Sequence, residues 1–213
     1  MLWITTWRWM SKYPGHYVER LKSGIARNLK QECKFAVFAP YEEDEYLTKI
    51  PGCFCRLRMF DRKWQEVHGI EEGDRIVLVD LDVVITGPLD ELFDRDEDFV
   101  ILQGANAANP CPYNGSLQML RAGKHEDVWK DFSLKNAGMV PHYEFPDDQA
   151  WLAARIPNAA GWKAGPESGV YAFQKPGWPK GDELPKDARL VAFPGWRDPS
   201  KFRNLAWVQR HWT

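Results

Sequence analysis

The sequence predicts an α/β fold: a Rossmann-like domain with a central, mostly parallel mixed sheet flanked by helices. Three observations carry that expectation. β-rich runs and helical patterns alternate as β-α-β-β-α-β through the first hundred residues. Residues 75–79 (RIVLV) form a continuous apolar run, the pattern of a central strand covered on both faces. No linker, repeat or low-complexity tract divides the 213 residues, so one domain is expected over 1–213. A chain of this length buries about 70% of the surface its unfolded form exposes.

Element by element, residues 2–7 (LWITTW) read as the first strand. Tyr13, Pro14 and Gly15 make a turn, and Tyr17, Val18, Leu21, Ile25 and Leu29 then recur at helical spacing. Residues 34–39 read as a buried strand. Glu42, Glu43, Asp44 and Glu45 make a solvated loop or a helix start. Residues 54–59 read as another strand, with Cys53 and Cys55 pointing to one face. Residues 64–68 are helical, 71–74 a turn, 83–85 a further apolar run closed by Gly87 and Pro88, and 99–102 a strand. Helical patterns cover about 125–136 and 147–156. The last third, rich in Gly, Pro and Trp, holds strands at 170–173 and 189–193.

Composition removes several classes. Lys and Arg total 28 against 30 Asp and Glu, a net charge of -2, so no nucleic-acid partner is expected. Aromatics at 14% argue against disorder. No run of 18 apolar residues exists, so no membrane span is expected. The opening MLWITTWRWM lacks the pattern of a secretory signal. Cys33, Cys53, Cys55 and Cys111 have no zinc-site spacing and read as small buried hydrophobes in a reducing, cytoplasmic setting. The 11 tryptophans read either as core or as flat faces for sugar or base rings.

The chemistry concentrates in RIVLVDLDVVITGPLDELF. Asp80 and Asp82 stand where an apolar strand ends, and open α/β sheets bind ligands at the carboxyl ends of their strands. Two acids so close repel unless a positive group lies near them. A hard divalent cation answers that need and bridges to a diphosphate.

The stretch resembles the DxD region of GT-A glycosyltransferases, in particular the glycogenin- and galactosyltransferase-like group. The matching residues are Asp80, Leu81, Asp82, Gly87, Leu89, Asp90, Leu92 and Phe93. YNGSLQMLRAG (113–123) is similar to that group's stretch beside the donor sugar, with Asn114 and Gly115 at its start. PDDQAWL (146–152) is similar to its D-Q segment. The resemblance implies that Asp80 and Asp82 hold Mn²⁺ or Mg²⁺, which binds the diphosphate of a UDP-sugar. It implies Asp148, preceding Gln149, or Asp147 as the carboxylate that reaches the sugars. It places Lys63 against the donor and the base over Thr5, Thr6 and Trp7, with Trp7 or Trp9 stacked on uracil. VAFPGWRDPSK (191–201) is similar to the H-G-x-x-K-P segment that clamps the diphosphate, which implies roles for Gly195, Trp196, Arg197 and Lys201. The metal-binding His of that segment is absent, and Pro194 stands before Gly195.

The activity implied is a hexosyltransferase that moves a hexose or deoxyhexose to a glycan or glycoprotein acceptor. Size and style also resemble the glycosyltransferase domain of a large algal (chlorella) virus that decorates its capsid protein, which implies the host cytoplasm. Two other readings stay open. VLVDLDVV also fits a haloacid-dehalogenase-like phosphatase, with Asp80 as nucleophile and Asp82 as acid/base. A non-catalytic, Trp-rich carbohydrate-binding module would use the aromatic faces without metal or nucleotide.

Overall fold

The computed structural model describes residues 1–9, 12–40, 53–105 and 111–213. The acidic run at 42–45 lies outside them. Strand β1 (Leu2–Trp7) pairs in parallel with β2 (Cys33–Phe38) on one side and β3 (Arg75–Val79) on the other. Helix α1 (His16–Asn28) makes the crossover between β1 and β2. Strand β6 (Tyr113–Arg121) runs antiparallel between β3 and β5 (Phe99–Gln103), and β7 (Ala160–Lys163) closes the sheet in parallel with β5. The order is β2-β1-β3-β6-β5-β7, with three of five pairings parallel. A second sheet joins β4 (Val83–Ile85), β9 (Leu190–Ala192) and β8 (Val170–Ala172) in the order β4-β9-β8.

Alternation along the strands feeds two cores. Leu2, Ile4, Val77 and Val79 face one, with α1 and the second sheet. Trp3, Trp7, Ile76 and Leu78 face the other, beneath a 3-10 helix (Phe54–Phe60) and helix α6 (Asp148–Arg155). Burying each large apolar side chain contributes roughly 1.5–3 kcal/mol. The continuous apolar run of β3 thus reflects cover on both faces. Among the described residues the remaining helices are α2 (Arg62–Val67), α3 (Asp90–Phe93), α4 (Asp127–Lys130), α5 (Leu134–Met139), a second 3-10 helix (Pro199–Phe202) and α7 (Ala206–His211). No helix among the described residues is long and apolar enough to cross a membrane.

The structure departs from the sequence expectations in five places. Residues 54–60 are a 3-10 helix and not a strand, with six of the seven buried. Cys55, Leu57 and Met59 alternate with Arg56 and Arg58 as in a strand, and tertiary packing overrides that period. Cys53 and Cys55 therefore do not share a strand face. Strand β2 is half-buried because it lies at the sheet edge, where Val37 is exposed. The helical pattern at 125–136 divides into α4 and α5, and Ser133 caps α5 through a 3.0 Å bond from the Asn136 N–H. Strands β6 and β7 lie outside the expected strands: β6 alternates Tyr113, Leu117 and Met119 with Asn114, Ser116 and Gln118, and β7 is the short AGWK.

One topological fact positions the site. β3 ends at Val79 in the main sheet, and β4 begins at Val83 in the second sheet. Asp80, Leu81 and Asp82 are the crossing between them.

Candidate active site

The crossing is pinned at both ends. The Asp80 N–H donates to the Ser116 carbonyl at 3.0 Å, and the Asp82 carbonyl accepts from the Phe193 N–H at 3.1 Å. Leu81 is buried in the core. Both acids line a cleft of about 510 Å³ with Trp7, Trp9, Lys12 and Gly195 at its margins.

Asp82 is the more enclosed acid. The Tyr13 hydroxyl donates to its Oδ2 at 2.7 Å, and Lys12 Nζ lies 3.7 Å from the same oxygen. Burial and then the charge of Asp80 push its carboxyl up to about 7, against the pull of Tyr13 and Lys12.

The other side of the cleft is organised by Arg56, delivered by the 3-10 helix and 4% exposed. Its Nη1 donates to Asp80 Oδ1 at 2.5 Å and to the Gly115 carbonyl at 3.0 Å. Its Nε and Nη2 both donate to Asp148 Oδ2, at 3.1 and 2.7 Å. Burial alone would lower the guanidinium pKa, but Asp148 and Asp80 hold it well above its usual value. Asp148 is 1% exposed, and burial pushes its carboxyl up to about 6 against the pull of Arg56. Glycine is required at 115, because a Cβ there would collide with Arg56 Nη2.

Asp147 caps α6. Its Oδ1 accepts from the Ala150 N–H at 2.8 Å, and its Oδ2 from Gln149 Nε2 at 2.7 Å. Gln149 Oε1 in turn accepts from the Gly115 N–H at 2.9 Å, so the D-Q segment and the start of β6 are tied together. Asn114 is buried, and its Oδ1 accepts from the Ser116 N–H at 3.0 Å.

Among the described lining residues, four carboxylates (Asp80, Asp82, Asp147, Asp148) meet two cations, Lys12 and Arg56. With all four ionised the cleft is short of two positive charges. A hard divalent cation with oxygen ligands fits both that charge and the donor chemistry of Asp80 and Asp82.

No protein-family model matches the sequence, and no curated protein does. Solved structures do match. The glycosyltransferase GlyE of Streptococcus pneumoniae TIGR4 aligns over 98% of this chain at a TM-score of 0.60 and 12% identity. The chain spans 63% of the length of GlyE. The galactosyltransferase LgtC, in complex with donor and acceptor sugar analogs, aligns over 100% of this chain and 97% of its own, at a TM-score of 0.55 and 11% identity. A glycosyltransferase involved in glycosylation of the major capsid of PBCV-1 aligns over 91% of this chain and 93% of its own, at a TM-score of 0.52 and 14% identity. The fold is that of the GT-A glycosyltransferases.

On this GT-A fold the residues singled out in the sequence fall into two groups. Trp7, Asp80, Leu81, Asp82, Asn114, Gly115, Asp147, Asp148 and Gly195 line the one cleft. Thr5, Thr6, Lys63, Trp196 and Arg197 are not among its lining residues. Thr5 is buried and donates to the Val77 carbonyl at 3.2 Å, and Thr6 is buried on the opposite face of β1. Lys63 is exposed on α2. Trp196 is 65% exposed next to Gly195, with the Arg197 guanidinium 5.1 Å from its ring centre and Lys201 Nζ donating to its carbonyl at 2.7 Å. Trp7 is 3% exposed and stacks on Trp64 with ring centroids 6.1 Å apart.

Three residues central to the cleft escaped sequence reasoning: Arg56, Lys12 and Tyr13. Arg56 had a signal. With Arg58 it is one of two charges in a run of apolar positions, and a buried charge needs partners.

Proposed function

We propose that residues 1–213 form a glycosyltransferase domain. It moves a hexose or deoxyhexose from a UDP-sugar to a glycan or glycoprotein acceptor, with Mn²⁺ or Mg²⁺. The observation that carries the reading is the charge deficit of the Asp80–Asp82 cleft at the strand ends of a GT-A fold. Asp80 and Asp82 would hold the cation. When bound, it neutralises the diphosphate leaving group as the sugar–oxygen bond breaks.

The chain's own residues do the rest. Arg56 holds the Asp80 and Asp148 carboxyl groups in fixed orientation. In a transfer with inversion, Asp148 accepts the acceptor hydroxyl proton. Arg56 engages its Oδ2, and its Oδ1 takes no hydrogen bond from the described residues. A carboxyl near 6 suits a base at neutral pH, and such help is worth about 10²–10⁴ in rate. Asp147 holds Gln149 and the start of α6. Trp7 and Trp9 close the end of β1, where the base would lie. Arg197 and Lys201, on the segment after Gly195, offer cations to the diphosphate.

Calorimetric titration with UDP, with and without Mn²⁺, tests the reading. Metal-dependent UDP binding that vanishes in Asp82→Ala is the expected result. No UDP binding under either condition overturns it. Phosphatase activity lost in Asp80→Ala would place the chain among the phosphatases instead.

A further inference from the structure

Tyr13 lies in the turn before α1, outside every motif of the sequence. It is 5% exposed. Its placement is fixed from several sides. Its N–H donates to the Trp9 carbonyl at 2.8 Å, and its own carbonyl accepts from Arg8 Nε at 3.0 Å. The Tyr17 ring packs 5.3 Å away, and the Lys12 ammonium lies 4.6 Å from the centre of the Tyr13 ring. The hydroxyl so held donates to Asp82 Oδ2 at 2.7 Å. A carboxylate at a strand end turns about its Cα–Cβ and Cβ–Cγ bonds, and a single short bond from a rigid phenol removes most of that freedom. Oδ1 accepts no hydrogen bond from the described residues, and Oδ2 keeps a second lone pair beside the one that Tyr13 engages.

We infer that Tyr13 is a positioning residue: it fixes the orientation in which the Asp82 carboxylate is presented to a divalent cation. The inference rests on the metal reading of Asp80 and Asp82 given above. The neighbouring tyrosine does a parallel job. The Tyr17 hydroxyl donates to Asp198 Oδ1 at 2.7 Å, at the far end of the segment that starts with Phe193 on the Asp82 carbonyl. Two tyrosines in contact thus hold the second acid and the 193–198 segment at fixed places relative to each other.

The test is Mn²⁺ binding to the nucleotide-free protein, read by electron paramagnetic resonance, in the wild type, Tyr13→Phe and Asp82→Asn. Thermal melts of each accompany it. Tyr13→Phe is expected to weaken Mn²⁺ binding about 10–100-fold, the usual loss for partners of metal ligands. A Tyr13→Phe protein that binds Mn²⁺ as the wild type does, whatever its melting temperature, overturns the positioning role while the metal reading stands. A wild type that binds no Mn²⁺, or an Asp82→Asn protein that binds it unchanged, overturns the metal reading itself. Should Tyr13→Phe not fold, wild-type protein carrying 3-fluorotyrosine answers the same question. Mn²⁺ must broaden the Tyr13 fluorine resonance before those of the other tyrosines, and an order in which it does not overturns the inference.

Discussion

Replacing Arg56 with methionine keeps the unbranched stem of the side chain and removes its guanidinium and charge. The wild-type guanidinium makes four hydrogen bonds, to Asp80, Gly115 and twice to Asp148, from a position 4% exposed. Arg56→Met leaves Asp148, 1% exposed, as a buried carboxylate without a counter-ion. Breaking a buried pair in this one-sided way costs about 3–5 kcal/mol. In a chain of this size each kcal/mol moves the melting temperature by roughly 2–4 °C, so a loss of about 6–20 °C is expected.

The pH dependence identifies the cause. Asp148 in the wild type titrates at about 6, well above an unfolded carboxylate. At pH 5 both proteins hold Asp148 largely protonated, and the gap between them is narrow. Above pH 6 the wild type ionises at no further cost, whereas the variant holds its proton to higher pH. The folded variant then binds more protons than its unfolded chain, so the gap widens by at most about 1.4 kcal/mol per pH unit. Calorimetric melts from pH 5 to 8 measure it. Arg56→Met combined with Asp148→Leu, which removes both charges, should recover most of the loss. A single variant that melts within about 2 °C of the wild type at pH 8, or a gap that ignores pH, would refute the reasoning.

Two further outcomes follow from the same cleft. Asp82→Asn should stabilise the metal-free protein at pH 8 by a few kcal/mol, on the order set by a carboxyl raised to about 7. Because the folded pKa lies above the unfolded one, that gain is absent near pH 4 and grows as pH rises to 7, and urea unfolding in a chelator at both pH values checks it. An equal gain at both pH values would count against it. Gly115→Ala should cost several degrees of melting temperature by displacing the guanidinium, and much less when made together with Arg56→Met. Additive losses in the double variant would show that the collision is elsewhere.

Strands β3 and β4 stand at the residues their apolar runs mark, because both faces of each are covered and nothing polar interrupts them. The acids between them were legible for the same reason: two charges at the end of an apolar run have few other uses. β6 escaped notice as a strand because its first half serves the cleft. Asn114, Ser116 and Gln118 alternate there with Tyr113, Gly115 and Leu117, so one face of the strand is polar although eight of nine positions are buried. Arg56 and Tyr13 were illegible as site residues for a different reason. Their partners lie 24 to 92 residues away along the chain, and only the assembled sheets bring them together. Lys63 stood at the spacing the resemblance suggests, but α2 carries it outward, and the basic groups in the cleft are Arg56, from the 3-10 helix before it, and Lys12.

Eleven tryptophans give this protein strong ultraviolet emission, and burial sorts it by colour. Ten of the rings are buried or partly shielded, so their excited states relax in apolar surroundings and emit toward the blue. Trp196 alone is largely open to water and emits to the red, one residue from the cleft margin at Gly195. A soluble quencher such as iodide reaches that ring first. The native chain therefore carries an optical probe beside its cleft, with no label added.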